Sequence, residues 1–295
     1  MKEKQHLQHY IVAGPTGSGK SSYALEFAQK VGGIVINADS LQIYQDLPIL
    51  TAQPSTQDKE IVPHCLYGFL GPEGQYSALK WVEDVTHILE EATSPCILVG
   101  GTGFYFNTLL EGLSPIPDVP QATKDYVRPL KLLEVRYLLE TQDPLMAERL
   151  HPHDLQRNAR ALEVLLGTGR SLSFWQSLRR NPSPYAFYKI GIFPERASHE
   201  SAMKERVLKM WEEGAIEEVS FLLEKGLSEI ASLRSAIGFD EIESYLKGDL
   251  SLEIAQNLMM IKTRQYAKRQ LTWFRHQMKF DEILSNIIGS KERST

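Results

Sequence analysis

Apolar and polar positions change rhythm several times along the chain, and each change predicts a different element. "YIVA" at residues 10–13 is an unbroken apolar run. A glycine-rich turn follows it, then "SSYALEFAQKV", where Tyr23, Ala24, Phe27, Ala28 and Val31 recur at helical spacing. "GGIVINADS" (32–40) and "PCILVGGTG" (95–103) are apolar without alternation, which predicts strands covered on both faces, with a helix over 77–92 between them. "YKIGIF" (188–193) predicts one more strand, and from 198 onward the spacing is helical, with Gly226 closing "EEGAIEEVSFLLEKG". Strands alternating with helices predict an α/β fold on a parallel sheet. Residues 117–186 break that alternation: their period is helical, interrupted by prolines, and they predict a helical insertion.

The turn after the first strand carries chemistry. "GPTGSGKS" satisfies G-x-x-x-x-G-K-[ST] at Gly14, Gly19, Lys20 and Ser21, between a strand and a helix as a P-loop requires. Gly14, Pro15, Thr16, Gly17, Ser18, Gly19, Lys20 and Ser21 therefore predict a diphosphate- or triphosphate-binding cradle. Backbone N–H groups and a helix N-terminus face the anion, Lys20 neutralises its charge, and Ser21 holds Mg²⁺. The domain order that follows is a P-loop core in two parts, 1–116 and 187–295, around the insertion 117–186.

A nucleotide hydrolase normally adds an apolar strand ending in a metal-supporting Asp. "CILVGGTG" ends instead in Gly100, Gly101 and Thr102, which argues against ATP hydrolysis. "IVINADS" does end in an acid, Asp39, at the sheet edge where parallel-sheet ligands bind. Asp39 either caps a helix or works on bound reactants, and the phosphate cradle beside it favours the second. With Ser40, Leu41, Gln42 and Tyr44 it offers a base, hydrogen-bonding groups and an aromatic face suited to a planar heterocycle.

Composition narrows the partners. The chain of 295 residues is 42% hydrophobic and 23% charged with net charge −5, an ordinary globular composition that excludes a uniformly basic nucleic-acid binder. Charge is nevertheless uneven: residues 262–279, "KTRQYAKRQLTWFRHQMK", hold six Lys or Arg and no acid. On a helix Arg264, Lys268 and Arg275 fall within about 40° of one another, which predicts contact with a phosphate backbone. "QRNAR" puts Arg157 and Arg160 at i and i+3 in the insertion, either as surface charge or as an RNA contact. Cys65 and Cys96 lack metal-ligand or disulfide spacing. The polar start "MKEKQHLQH" and the lack of a long apolar run predict a cytoplasmic protein, without membrane contact or obligate protein partner, monomeric by default.

Taken in order, "GPTGSGKS", "NADSLQIY", "TAQP", "LVGGTGFYFNTLLEGL", "HPHDLQRNARALEV", "SLRSAIGFDE" and "RQYAKRQLTWFR" resemble the bacterial tRNA dimethylallyltransferases, also called tRNA isopentenyltransferases, over nearly the whole chain. The resemblance implies a P-loop NTPase-like core whose helical insertion grips the tRNA anticodon arm. It implies transfer of a dimethylallyl group from dimethylallyl diphosphate to N6 of the adenosine 3′ of the anticodon (position 37), with diphosphate expelled and Mg²⁺ as cofactor. By the same resemblance Asp39 is the base, Thr102 stands at the diphosphate and reacting centre, and Lys20 and Arg234 support the diphosphate. The tRNA contacts it implies are Asp39, Ser40, Leu41, Gln42, Thr102, Lys124, Gln156, Arg157, Asn158, Ala159, Arg160, Gln265, Tyr266, Ala267, Lys268, Arg269 and Gln270. Phe104, Tyr105 and Tyr44 are candidates either to stack on the extracted base or to pack in the core.

The chain departs from the family pattern in three places. "LTAQP" puts Leu50 and Gln53 where Gly and Lys are usual, Gly68 stands where Asp is frequent, and "GFDE" brings in the acidic Asp240. The alternatives are an adenine-nucleotide isopentenyltransferase, a small-molecule P-loop kinase or hydrolase, and a non-enzymatic RNA binder with a nucleotide-sensing P-loop. The insertion and the basic run favour tRNA over a mononucleotide, and the last alternative leaves Asp39 and Thr102 without a task.

Overall fold

The computed structural model describes residues 7–178, 181–229 and 231–285. Two compact units emerge, one of residues 1–110 and 183–295 and one of Glu111–Pro182. Chain order begins with β1 His9–Ala13, α1 Lys20–Val31, β2 Ile34–Asn37, α2 Pro48–Thr51, α3 Thr56–Ile61, β3 His64–Cys65, α4 Ala78–Glu91, β4 Cys96–Gly100 and α5 Gly103–Glu111. The second unit holds α6 Gln121–Val127, α7 Leu132–Gln142, α8 Pro144–Arg149, α9 Leu155–Thr168 and α10 Leu172–Ser177. The chain then returns through β5 Phe187–Ile192, α11 Arg196–Glu213, α12 Ala215–Glu224, a 3-10 turn Ser232–Ser235, α13 Phe239–Leu246, α14 Leu252–Gln277 and β6 Glu282–Leu284.

All six strands run parallel in the order β3-β2-β4-β1-β5-β6. Val12 pairs with Val99 and Ile190, and Val99 also faces Asn37, so β1, β2 and β4 end level with one another. The turn after β1, Asp39 after β2 and Thr102 after β4 therefore leave the sheet at one edge, the carboxyl edge where ligands of parallel sheets bind.

The expected α/β class and parallel sheet are present. Two strands, β3 and β6, were not expected, because segments of two and three residues are too short to carry an alternation pattern. The helix expected to end at Gly226 is two helices. Gly214, at φ +116°, both ends α11 and opens α12. Composition set the insertion at 117–186, whereas the compact unit is Glu111–Pro182. Residues 183–186 go with the core: Ser183 N–H donates to the Leu109 carbonyl (3.0 Å), and the Tyr185 ring meets His9 edge-on (5.9 Å).

Burial on both sheet faces explains the unbroken apolar strands. Ala24 and Ala28 of α1 pack with Val12, Val35, Ile97, Val99, Ile190 and Ile192 on one face. On the other, Ile11, Ile36 and Leu98 meet Trp81 and Val85 of α4, Phe106 of α5 and Phe274 of α14. A separate cluster joins α11–α14 around Trp211, Leu222, Leu233 and Phe239. The second unit has its own core of Val127, Val135, Leu139, Met146, Ala161 and Leu162.

Candidate active site at the carboxyl edge of the sheet

Gly19 opens α1 at φ +82°, a left-handed conformation that costs glycine little, and so aims the first turn of the helix at the loop. Lys20 Nζ donates to the Pro15 carbonyl (3.3 Å). The peptides flanking Thr16 are tied to two distant helices. Thr16 N–H donates to Gln270 Oε1 on α14 (2.8 Å), and the Thr16 carbonyl accepts from His199 Nε2 on α11 (2.8 Å). Gln270 Nε2 in turn donates to the Gly101 carbonyl (2.9 Å), so one side chain joins the loop to the end of β4.

Asp39 is fixed through its backbone. The Asn37 side chain accepts from Asp39 N–H (2.8 Å) and donates to the carbonyls of Asp39 and Leu66 (both 2.9 Å). Leu41 N–H donates to Asp39 Oδ1 (3.0 Å), and Ser40 N–H donates to Thr102 Oγ1 (3.1 Å). Asp39, Ser40 and Thr102 are thus gathered beside the P-loop, with the Asp39 carboxylate within electrostatic range of Lys20.

Charge at this edge is concentrated. Burial, then the neighbouring Arg206 guanidinium, pull the Lys20 ammonium down to about 8, against the opposing pull of Asp39. Burial also lowers the pKa of Arg206, which Asp39 partly offsets. Burial first, and the Asp39 charge second, raise the phenols of Tyr67, Tyr105 and Tyr266. Two cations and three phenols therefore lie within electrostatic range of one carboxylate.

Arg206 and His199 escaped the sequence reading. With Met203 they lie at i, i+4 and i+7 of α11, and His199 and Met203 are buried. An arginine continuing a buried helical stripe is the signal that could have found it. The arginine coupled to Lys20 and Asp39 is Arg206, not Arg234. Arg234 pairs instead with Glu243 and lies over the Phe239 ring at 4.8 Å.

The expected RNA-contacting residues divide by exposure. On α14, Gln265, Lys268 and Arg269 are exposed, as are Arg264 and Arg275, whereas Ala267 and Gln270 are buried (3% and 6% exposed). Gln270 is thus a loop strap, not a surface contact. Leu41 packs against the core, and Gln42 Nε2 donates to the carbonyls of Thr51 and Ala52 (2.9 and 2.8 Å). Within the second unit Gln156, Arg157 and Arg160 are exposed on α9 and Lys124 is half-buried on α6. Asn158 is fully buried, accepting from Arg136 (3.1 Å) and donating to the carbonyls of His151 and Asp154 (2.9 and 2.7 Å), while Ala159 packs against the unit's core. Of the aromatic candidates, Phe104 is exposed, whereas Tyr44 and Tyr105 are buried.

The departures fit locally. Leu50 is buried in the core around α11–α14, and its N–H, with that of Ile49, donates to Glu218 (2.9 and 2.6 Å). Gln53 Nε2 donates to the Tyr44 carbonyl (2.7 Å), and Gly68, at φ +55°, leaves room for Gln53 Oε1, which would stand 2.9 Å from any β-carbon there. Asp240 lies 3.7 Å from Lys262.

Ser18 Oγ and Tyr105 Oη are buried without a hydrogen-bond partner among the described residues. Leaving a buried hydroxyl unsatisfied costs about 1–3 kcal/mol.

Comparison with known proteins places this geometry in context. A family model described as IPP transferase matches residues 42–277, and one described as isopentenyl transferase matches 7–62. A tRNA dimethylallyltransferase of Chelativorans sp. (strain BNC1) is 42% identical, covering 91% of this chain and 95% of the relative. One from Geobacter metallireducens is 40% identical, covering 98% of this chain and 99% of the relative. Among solved structures, the tRNA isopentenylpyrophosphate transferase of Bacillus halodurans is similar with a TM-score of 0.69 and 29% identity, covering 98% of this chain and 93% of that one. A eukaryotic dimethylallyltransferase described as acting on tRNA is similar with a TM-score of 0.79 and 26% identity, covering 94% of this chain and 74% of that one.

Proposed function

The chain belongs to the IPP transferase family, and from that premise we propose that it transfers a dimethylallyl group from dimethylallyl diphosphate to N6 of the adenosine 3′ of the anticodon, position 37, in tRNA. It is a tRNA-modifying prenyltransferase. The observation that carries the finer reading is the coupling of one carboxylate, Asp39, to two cations, Lys20 and Arg206, beside a P-loop.

Breaking an allylic C–O bond releases diphosphate, and catalysis requires that its growing charge be met where it develops. Lys20, Arg206 and the N–H groups at the start of α1 supply that positive potential, while His199 and Gln270 hold the Thr16 segment of the loop in position. The P-loop then serves as a leaving-group clamp. Among the described residues no cluster of three or more His, Cys, Asp or Glu side chains could hold a metal ion. The Ser21 hydroxyl would hold a hard cation such as Mg²⁺ beside the diphosphate. Such an ion would add charge neutralisation at the diphosphate.

The adenine N6 amine is a poor nucleophile because its lone pair is delocalised into the ring. A carboxylate that orients it and takes its proton answers that weakness, and Asp39 is the group in reach of the cradle. Thr102 and Ser40, joined by their hydrogen bond, border the same edge and suit the reacting centre. The exposed Lys268 and Arg269 on α14, and Arg157 and Arg160 on α9, support a polynucleotide acceptor gripped in part by the helical unit. A tRNA substrate implies the cytoplasm as the place of action, and no helix among the described residues is long and apolar enough to cross a membrane.

The test is Asp39→Ala. The single-turnover rate of dimethylallyl transfer is expected to fall by ~10² to 10⁴, with tRNA affinity nearly unchanged. A parent-like rate would remove Asp39 from the mechanism.

A further inference from the structure

Tyr105 lies in the first turn of α5, three residues beyond Thr102, and is 4% exposed. Its ring is stacked on Trp81, with centroids 4.8 Å apart and planes 21° from parallel. The Trp81 indole N–H donates to the Asn37 carbonyl (2.7 Å), and the Asn37 side chain brackets the Asp39 backbone from both sides. Tyr105 and Asp39 are therefore held by one continuous frame, and the phenol lies within range of the Asp39 charge.

The phenols around it have partners. Tyr44 donates to the Gly74 carbonyl (3.1 Å) and Tyr76 to Asp84 (2.5 Å). The Tyr105 hydroxyl is buried with none among the described residues. Phenylalanine would fill the same space against Trp81 without that cost. On the carboxylate side, Leu41 N–H engages Oδ1, which leaves Oδ2 for a further donor.

We propose that Tyr105 is a positioning residue for Asp39: in the reacting complex its O–H donates to the carboxylate and holds it toward the amine that Asp39 deprotonates. The proposal rests on the reaction given under Proposed function. A hydrogen bond withheld in the resting protein and made in the reacting complex lowers the barrier without tightening ground-state binding. Its signature is a loss in kcat with KM preserved.

The experiment is Tyr105→Phe, assayed by the kcat and KM of dimethylallyl transfer to an anticodon stem-loop RNA and by thermal melting. The expected kcat is about tenfold or more below the parent, the scale of one hydrogen bond to a charged group. Both KM values stay within about twofold by the same reasoning. Melting is expected at or above the parent temperature, since an unsatisfied hydroxyl is removed. Parent-like kcat would overturn the proposal, and so would a kcat loss accompanied by a raised KM or a clearly lower melting temperature, which would mark the hydroxyl as structural. A parent protein that transfers no label to RNA would overturn the underlying reaction instead, a failure visible before any variant is made.

Discussion

Lys20 stands between a like charge and an opposite one, and its behaviour with pH follows from that position. Burial and Arg206 bring its pKa down to about 8 in the protein without substrate. The ammonium is fully present below that value and is lost as pH rises through it, so the grip on diphosphate weakens on the alkaline side. KM for dimethylallyl diphosphate is predicted to rise with pH through about 8, whereas Lys20→Arg, charged throughout, should give a lower maximal rate without that rise. A flat KM in the parent would mean that bound substrate never meets a neutral lysine. At this scale the sequence was most informative where function is local. Lys20, Ser21 and Asp39 lie in short motifs whose spacing is the chemistry, and Thr102 follows directly from the strand it ends. Arg206 was hidden because an arginine on a helix reads as solvated until the helix is docked, and Arg234 was selected by resemblance alone.

Elements distribute these residues in ways that spacing along the chain does not disclose. Helix α14 carries an exposed basic side with Lys268 and Arg269, and one residue further on, the buried Gln270 that ties the P-loop to the end of β4. The sequence run "KRQ" reads as a single basic patch, yet a rotation of 100° per residue turns its last member into the protein. Two variants should separate the two tasks. Gln270→Ala is expected to raise KM for dimethylallyl diphosphate and lower kcat about tenfold, as when a catalytic loop loses its positioning bonds, with tRNA affinity nearly intact. Lys268→Ala with Arg269→Ala is expected to weaken tRNA binding and lower its salt slope by about two, one per lost phosphate contact, with KM for the diphosphate unchanged. Titrations of the two substrates check both, and interchange of the two phenotypes would contradict the assignment. Short elements were the least legible: β3 and β6 owe their existence to pairing with neighbours, not to a pattern of their own.

At the scale of the whole molecule, the alternation of apolar strands with amphipathic helices was enough to indicate a parallel sheet with its site at the carboxyl edge. The order of the six strands could be learned only from tertiary contacts. The helical unit was visible as a change of period, and its ends were displaced because residues 183–186, though irregular in sequence, hydrogen-bond and pack with the core. The departures Gln53 and Gly68, separate in sequence, meet in space and leave the frame of Asp39 undisturbed. These levels meet in the proposed reaction: the P-loop holds the diphosphate that departs as the dimethylallyl group passes from its donor to an RNA base. Its most direct test is transfer of radiolabelled dimethylallyl group to unmodified tRNA, to an anticodon stem-loop and to free AMP, with Mg²⁺ present or chelated. Label is predicted on both RNAs and not on AMP, and is lost on chelation. Label confined to AMP, or ATP hydrolysis with no label on any acceptor, would contradict it.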